Sequence, residues 1–134
     1  ACNLHCTGCW AAEYGNKLNL TLEELDSIVT QGKELGTYMY IFTGGEPLVR
    51  KQDVIALCEK HSDCEFLPFT NGTLIDEDFC QEMLRVKNFV PAISLEGFEE
   101  ANDGRRGPVH LVLPLHAGGA GRGARPAAHP PAAH

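Results

Sequence analysis

Basic residues are scarce in this sequence: 11 Lys and Arg stand against 18 Asp and Glu among 134 residues, a formal net charge of −7 with His neutral. Such a surface repels polyanions, so neither nucleic acid nor an anionic membrane is expected as a partner. No apolar run approaches the roughly 20 residues that a bilayer-spanning helix needs. Nor does a succession of charged, apolar and small residues open the chain as a secretory signal would, and the expected location is the cytoplasm. The balance of 43% hydrophobic and 22% charged residues is that of one soluble globular domain.

The end of the chain lacks more. Beyond Leu115 there is no acid, no lysine and no aromatic residue, only Ala, Gly, Pro, His and Arg. Nothing in that composition can build a core. The chain accordingly divides into a well-patterned part, 1–110, and a low-complexity part, 111–134, that reads as a disordered tail or as a non-native, out-of-frame end.

In the first part, Thr21 and Glu24 form a capping-box pattern, after which Leu25, Ile28, Val29, Gly32 and Leu35 recur at helical spacing up to Gly36. Tyr38 to Phe42 make a short apolar run, expected to be a strand buried on both faces, ending at Gly44 and Gly45. Val54, Leu57, Cys58 and His61 share a second helical face, and a second strand covers Phe66 to Phe69, before Asn71 and Gly72. Asp76 can cap a third helix with Phe79, Cys80, Met83 and Leu84 inside, and Phe89 to Leu95 supplies a third strand. Pro68 and Pro91 lie inside two of these runs, so the strands are expected to start later than the apolar residues do. Alternation of helix and strand implies an α/β fold with parallel strands and crossover helices, as an open sheet or a barrel.

Of six cysteines, three fall within the first nine residues, a distribution that suits ligation better than a disulfide framework. Cys2-x3-Cys6-x2-Cys9 offers three thiolates from one loop, one short of the usual four for a cubane. The loop alone also suits a zinc knuckle, with His5 or a distant Cys as fourth ligand. Cys58 and Cys80 lie on inner helical faces and read as core, Cys64 as incidental, and His61 and His110 have no partner pattern.

The segment Cys2-Asn3-Leu4-His5-Cys6-Thr7-Gly8-Cys9 resembles the signature of the radical S-adenosylmethionine (radical SAM) superfamily, and Gly44-Gly45-Glu46-Pro47 follows at a strand end, as in that family. The resemblance implies a [4Fe-4S] cluster on Cys2, Cys6 and Cys9, with S-adenosylmethionine chelating the iron that has no cysteine. It implies that Gly44 and Gly45 let the backbone approach the cosubstrate, and that Glu46 accepts hydrogen bonds from its ammonium. Thr70-Asn71-Gly72 and Ser94-Leu95-Glu96-Gly97 close later strands in a similar way, placing Asn71 and Ser94 at the cosubstrate, Ser94 at the ribose hydroxyls. Arg106 lies where related maturases pair an arginine with the methionine carboxylate, although a solvated loop arginine is the bland reading. All these motifs follow strand carboxyl ends, where α/β barrels assemble their sites.

By the same resemblance the fold is a partial (β/α)6 TIM-like barrel truncated at both ends, with a first strand before Cys2 and at least two after the last one here. Its open edges are expected to make the chain alone unstable or aggregation-prone. The implied activity is that of the branch containing cofactor-biosynthesis enzymes and peptide or sulfatase maturases: reductive cleavage of S-adenosylmethionine to a 5'-deoxyadenosyl radical for hydrogen abstraction. The implied partners are an electron donor such as flavodoxin or ferredoxin and a small-molecule or peptide substrate. One departure stands out: many members carry an aromatic residue just before the third cysteine, whereas Gly8 is there and Trp10 comes just after Cys9.

Overall fold

The structure is a computed structural model that describes residues 1–13, 15 and 19–108. The low-complexity part 111–134, its boundary at 110 and His110 lie outside the described residues. After the cysteine loop and a 3-10 turn at Trp10–Glu13 come α1 (Leu22–Glu34), β1 (Met39–Phe42), a 3-10 turn at Pro47–Arg50, α2 (Lys51–Lys60) and β2 (Glu65–Thr70). They are followed by α3 (Glu77–Val86), β3 (Ala92–Ile93) and α4 (Glu99–Arg106). The sheet has the order β1-β2-β3 with both pairings parallel. No helix among the described residues is long and apolar enough to cross a membrane.

α1 starts as its capping box dictates: the Thr21 hydroxyl accepts from Glu24 N at 3.2 Å, and the Glu24 carboxylate accepts from Thr21 N at 2.7 Å. Leu22, Leu25 and Val29 pack inward, whereas Ile28 and Leu35, which share the helical spacing, face solvent. α3 begins on the Asp76 carboxylate, which accepts from Phe79 N at 2.8 Å. Its inner face is Phe79, Cys80, Met83 and Val86, with Leu84 outside. α4 was not expected from the sequence: Glu99–Arg106 carries no apolar stripe and includes Gly104.

Right-handed crossovers along a sheet of this order put their helices on the same face. That face is the core, with Tyr40, Phe42, Phe66 and Ile93 packed beneath α1, α2 and α3. Phe66 is fully buried and stacks on both Tyr40 and Phe42, with ring centroids 5.8 and 5.6 Å apart. Its burial contributes about 1.5–3 kcal/mol. The opposite face keeps Met39, Ile41 and Phe69 exposed, so β1 is buried on one face and not on two as its composition suggests.

Pro68 does not delay β2, which begins at Glu65, ahead of the apolar run. The pairing of Phe66 with Phe89 and of Phe69 with Ala92 is one register interrupted between them, and extending it sets Pro68 opposite Pro91. Val90 and Ser94 donate to Phe66 O and Thr70 O, so by alternation the Pro91 nitrogen points away from β2 and costs that ladder nothing. Pro68 leaves one rung unmade, and regular β3 starts only at Ala92, as the proline suggested.

The Tyr40 hydroxyl reaches Val29 O and Thr37 O, both at 2.9 Å, and a Cβ on Gly32 would collide with it. Gly32→Ala should therefore destabilise the fold by about 1–3 kcal/mol through overpacking, despite the higher helix propensity of Ala. In a Tyr40→Phe background that cost should shrink, since the hydroxyl is gone. Urea unfolding of the four chains checks this, and additive effects would show that the glycine serves another purpose.

Three aspartates tie helices together through ion pairs: Asp26 with Lys60 at 2.6 Å, Asp63 with Lys33 at 2.7 Å and Asp76 with Lys51 at 2.6 Å. Each lysine holds its aspartate below the ordinary carboxylate range, with smaller help from His61 at Asp26 and from Phe79 N at Asp76. A folded-state pKa below the unfolded one gives stability that is present above about pH 4 and lost as pH falls through the folded value. The urea midpoint should thus decline on acidification below about pH 4. Asp76→Asn, which keeps the cap, should flatten that decline.

Candidate functional site

The cysteine loop lies against the carboxyl ends of the strands and is held at three places. At its start, Ala1 O accepts from Glu46 N at 2.8 Å. A Cβ on Gly45 would overlap that Ala1 carbonyl, so the glycine is required by the loop's approach. Gly44 differs: its φ of 127° demands glycine, and open space surrounds the position a Cβ would take. At the far end, Thr7 N donates to Arg105 O of α4 at 2.8 Å. Between Thr7 and Cys9 the chain reverses, with Cys9 N donating to Cys6 O at 3.1 Å and Gly8 at φ 72°, as the third residue of a type II turn requires.

The third attachment is made by side chains. Asn71 Nδ2 donates to Asn3 Oδ1 at 2.9 Å, Asn3 Nδ2 donates to Thr73 Oγ1 at 2.8 Å, and Thr73 Oγ1 donates to Asn71 Oδ1 at 2.6 Å. Thr73 N adds a fourth bond to Asn71 Oδ1 at 3.0 Å.

Glu46 is buried, only 4% exposed, and its carboxylate serves the protein. Oε1 accepts from Leu48 N at 2.9 Å and from Thr70 Oγ1 at 2.7 Å, while Oε2 accepts from Asn71 N at 2.7 Å. Thr70 Oγ1 in turn accepts from Gly72 N at 3.0 Å. Three donors take most of the roughly four lone-pair sites a carboxylate has. Glu46 and Asn71, expected at the cosubstrate, are thus engaged with strand ends and with the cysteine loop.

At the third strand end, Ser94 N donates to Thr70 O at 2.9 Å. Glu96, two residues on, receives Arg105 Nη1 at 2.9 Å and Arg106 Nη2 in a very short contact. Arg106 belongs to α4 and its side chain is only 14% exposed, with a buried Nε that has no hydrogen-bond partner among the described residues. It is therefore no solvated loop residue. Trp10 is exposed and lines a hollow of about 440 Å³ on the helix side of the strand ends, together with Phe42, Gly44, Pro47, Val54 and Leu57.

The six cysteines fall into two populations. Cys58, Cys64 and Cys80 are buried, and burial raises their thiols, that of Cys58 to about 12. They stay protonated and inert. Cys2 is exposed, Cys6 and Cys9 are half-buried, and all three carry free thiols. Among the described residues no three His, Cys, Asp or Glu stand close enough to hold a single metal ion. The three free thiols share one loop, and in donor chemistry they fit a [4Fe-4S] cluster, which takes one thiolate per iron.

Sequence reading missed Asn3, Thr70, Thr73 and Glu96, whose roles come from hydrogen-bond partners that local pattern does not announce. It also missed the partner of His61, which is buried with Nε2 2.8 Å from Asp26 Oδ1. Only the acid in Ser94-Leu95-Glu96-Gly97, ahead of two arginines, hinted at any of these.

The sequence profile of the Radical SAM superfamily matches residues 1–118. Fe-coproporphyrin III synthase of Methanosarcina barkeri is 32% identical over 111 residues, 79% of this chain and 27% of its own. GTP 3',8-cyclase of Peptoclostridium acidaminophilum is 40% identical over 84 residues, 57% of this chain and 26% of its own. Among solved structures, native anSMEcpe with bound AdoMet has a TM-score of 0.63 and 29% identity, over 79% of this chain and 32% of its own. SuiB of Streptococcus suis bound to precursor peptide SuiA shares the fold at a TM-score of 0.66 and 24% identity, over 81% of this chain and 25% of its own. The chain spans about a quarter to a third of the length of these relatives. Its three parallel strands and crossover helices are part of a TIM-like barrel, as the alternation of helix and strand allowed. With that profile matched from the cysteine loop through α4 and beyond, the chain belongs to the radical SAM superfamily of enzymes.

Proposed function

We propose that Cys2, Cys6 and Cys9 ligate three irons of a [4Fe-4S] cluster, and that S-adenosylmethionine binds at the fourth iron beside Gly44, Gly45, Ser94 and Arg106. The observation that carries this reading is the attachment of a three-thiol loop to the carboxyl ends of two parallel strands through Glu46 N and Asn71. When bound, the pair supplies one-electron cleavage to a 5'-deoxyadenosyl radical that abstracts hydrogen from a substrate.

The chain's own residues prepare the place. Gly44 leaves the β1 end open, and Glu46 and Asn71 hold that end, the β2 end and the loop in one arrangement. Arg106 offers a guanidinium for a carboxylate, with Glu96 as its present partner. Ser94 presents a hydroxyl at the β3 end for the ribose. Cys58 and Cys80, inert in the core, take no part.

In the whole protein, a low-potential donor such as flavodoxin or ferredoxin supplies the electron, in a reducing compartment that keeps the thiols free. The substrate is a small molecule or a peptide. Both kinds are named among the relatives, GTP in the name of the cyclase and the SuiA precursor peptide in that of SuiB.

Anaerobic reconstitution of the chain with iron and sulfide should bind about four irons per chain. The electron resonance spectrum of the reduced cluster should change when S-adenosylmethionine is added. Cys6→Ala should lose the cluster, while Cys58→Ala should keep it. Stoichiometric zinc with no response to S-adenosylmethionine would overturn the proposal.

A further inference from the structure

We infer that Asn3, Asn71 and Thr73 form a positioning ring that fixes the cysteine loop on the β2 end, so that Asn71 and Thr73, far from the thiols in sequence, set how firmly the cluster is held. The inference rests on the proposed cluster ligation and adds residues to it. None of the three has a side chain suited to binding iron in this setting, and each acts through the loop backbone.

The three bonds close a circle in which every member donates once and accepts once: Asn71 to Asn3, Asn3 to Thr73, Thr73 to Asn71. The direction of the circle is determined. Thr73 N donates to Asn71 Oδ1, so that atom must be the oxygen. Asn71 Nδ2 must then face Asn3 Oδ1, leaving Asn3 Nδ2 for the hydroxyl. A ring of this kind is lost as a unit when one member goes, because each remaining group loses a partner.

Its position gives it leverage. Asn3 adjoins Cys2, and Asn71 is held from behind by Glu46 Oε2 on its backbone N, so the ring transmits the placement of the strand ends to the loop. Asn71 is itself buried, which keeps water from competing for its amide. Groups that orient metal ligands in this indirect way typically cost roughly 10–100-fold in metal affinity when removed.

Two matched variants separate this role from a general loss of structure. Thr73→Val removes the hydroxyl at nearly constant volume, and Thr73→Ser keeps it. In the apo chain, hydrogen exchange at Thr7 N and Cys9 N, the loop amides that donate backbone hydrogen bonds, should accelerate in Thr73→Val and in Asn71→Ala but not in Thr73→Ser. Exchange in α2 and β2 should be unchanged in all three. After reconstitution, Thr73→Val and Asn71→Ala should lose iron to a chelator roughly tenfold faster than the parent or more. The double variant Asn3→Ala/Asn71→Ala should be no worse than Asn71→Ala alone, since the two act through one ring.

Equal exchange and equal iron retention in Thr73→Val and Thr73→Ser would overturn the inference, as would additive losses in the double variant. If the parent chain assembles no cluster, the proposed function fails and the retention arm with it. The exchange arm still decides whether the ring pins the loop.

Discussion

The junction of β1, β2 and the cysteine loop depends on one buried carboxylate. Glu46 follows the Gly44-Gly45 turn, and its two oxygens gather a donor from its own 3-10 turn, a hydroxyl from the last residue of β2 and the amide beyond it. A buried charge is costly unless every lone pair finds a partner. Here the partners are fixed backbone and a strand-end hydroxyl, which converge on the carboxylate only when β1 and β2 end side by side. Its own amide simultaneously holds Ala1 O, which brings in the cysteine loop. Strand register, turn and loop are thereby settled together.

Much of this architecture was legible in the order of residues, and the illegible parts share a cause. Helix starts at Thr21 and Asp76 announced themselves because capping is local, made between residues three apart. The inner faces of α2 and α3 followed from spacing. Leu84 was misassigned, and Ile28 and Leu35 face solvent despite their spacing, because periodicity names a stripe wider than the neighbouring helices cover. β1 read as buried on both faces because Met39 and Ile41 are as apolar as Tyr40 and Phe42, and composition does not say how many layers surround a strand. α4 has no apolar stripe to read at all.

At the site, the residue types were readable and their partners were not. Glu46, Asn71 and Arg106 stood out by motif, but their partners within the protein, Thr70, Asn3 and Glu96, did not. Those contacts span 24, 68 and 10 residues of sequence. Only the assembled sheet brings such groups within reach, and a single sequence does not record which strand ends will meet. The cysteines were separable without that knowledge, since close spacing in a loop and solitary placement on helical faces imply opposite surroundings. The surroundings agree: partial exposure for Cys2, Cys6 and Cys9, and burial for Cys58, Cys64 and Cys80, each on α2 or α3 or beside them.

The attachment of Thr7 N to Arg105 O has a consequence in time. The loop leaves the ribosome well before the residues that grip it: Glu46, then Asn71, and last Arg105, nearly a hundred positions later. At about 5–20 residues per second, that interval is roughly 5–20 s. Until Glu46 and Asn71 emerge, Cys2, Cys6 and Cys9 belong to a nascent segment with no docking surface, and until Arg105 does the loop is held from one side only. Closure of the loop from both ends is thus a late event in synthesis, and the state of its thiols depends on how well they are guarded while translation proceeds.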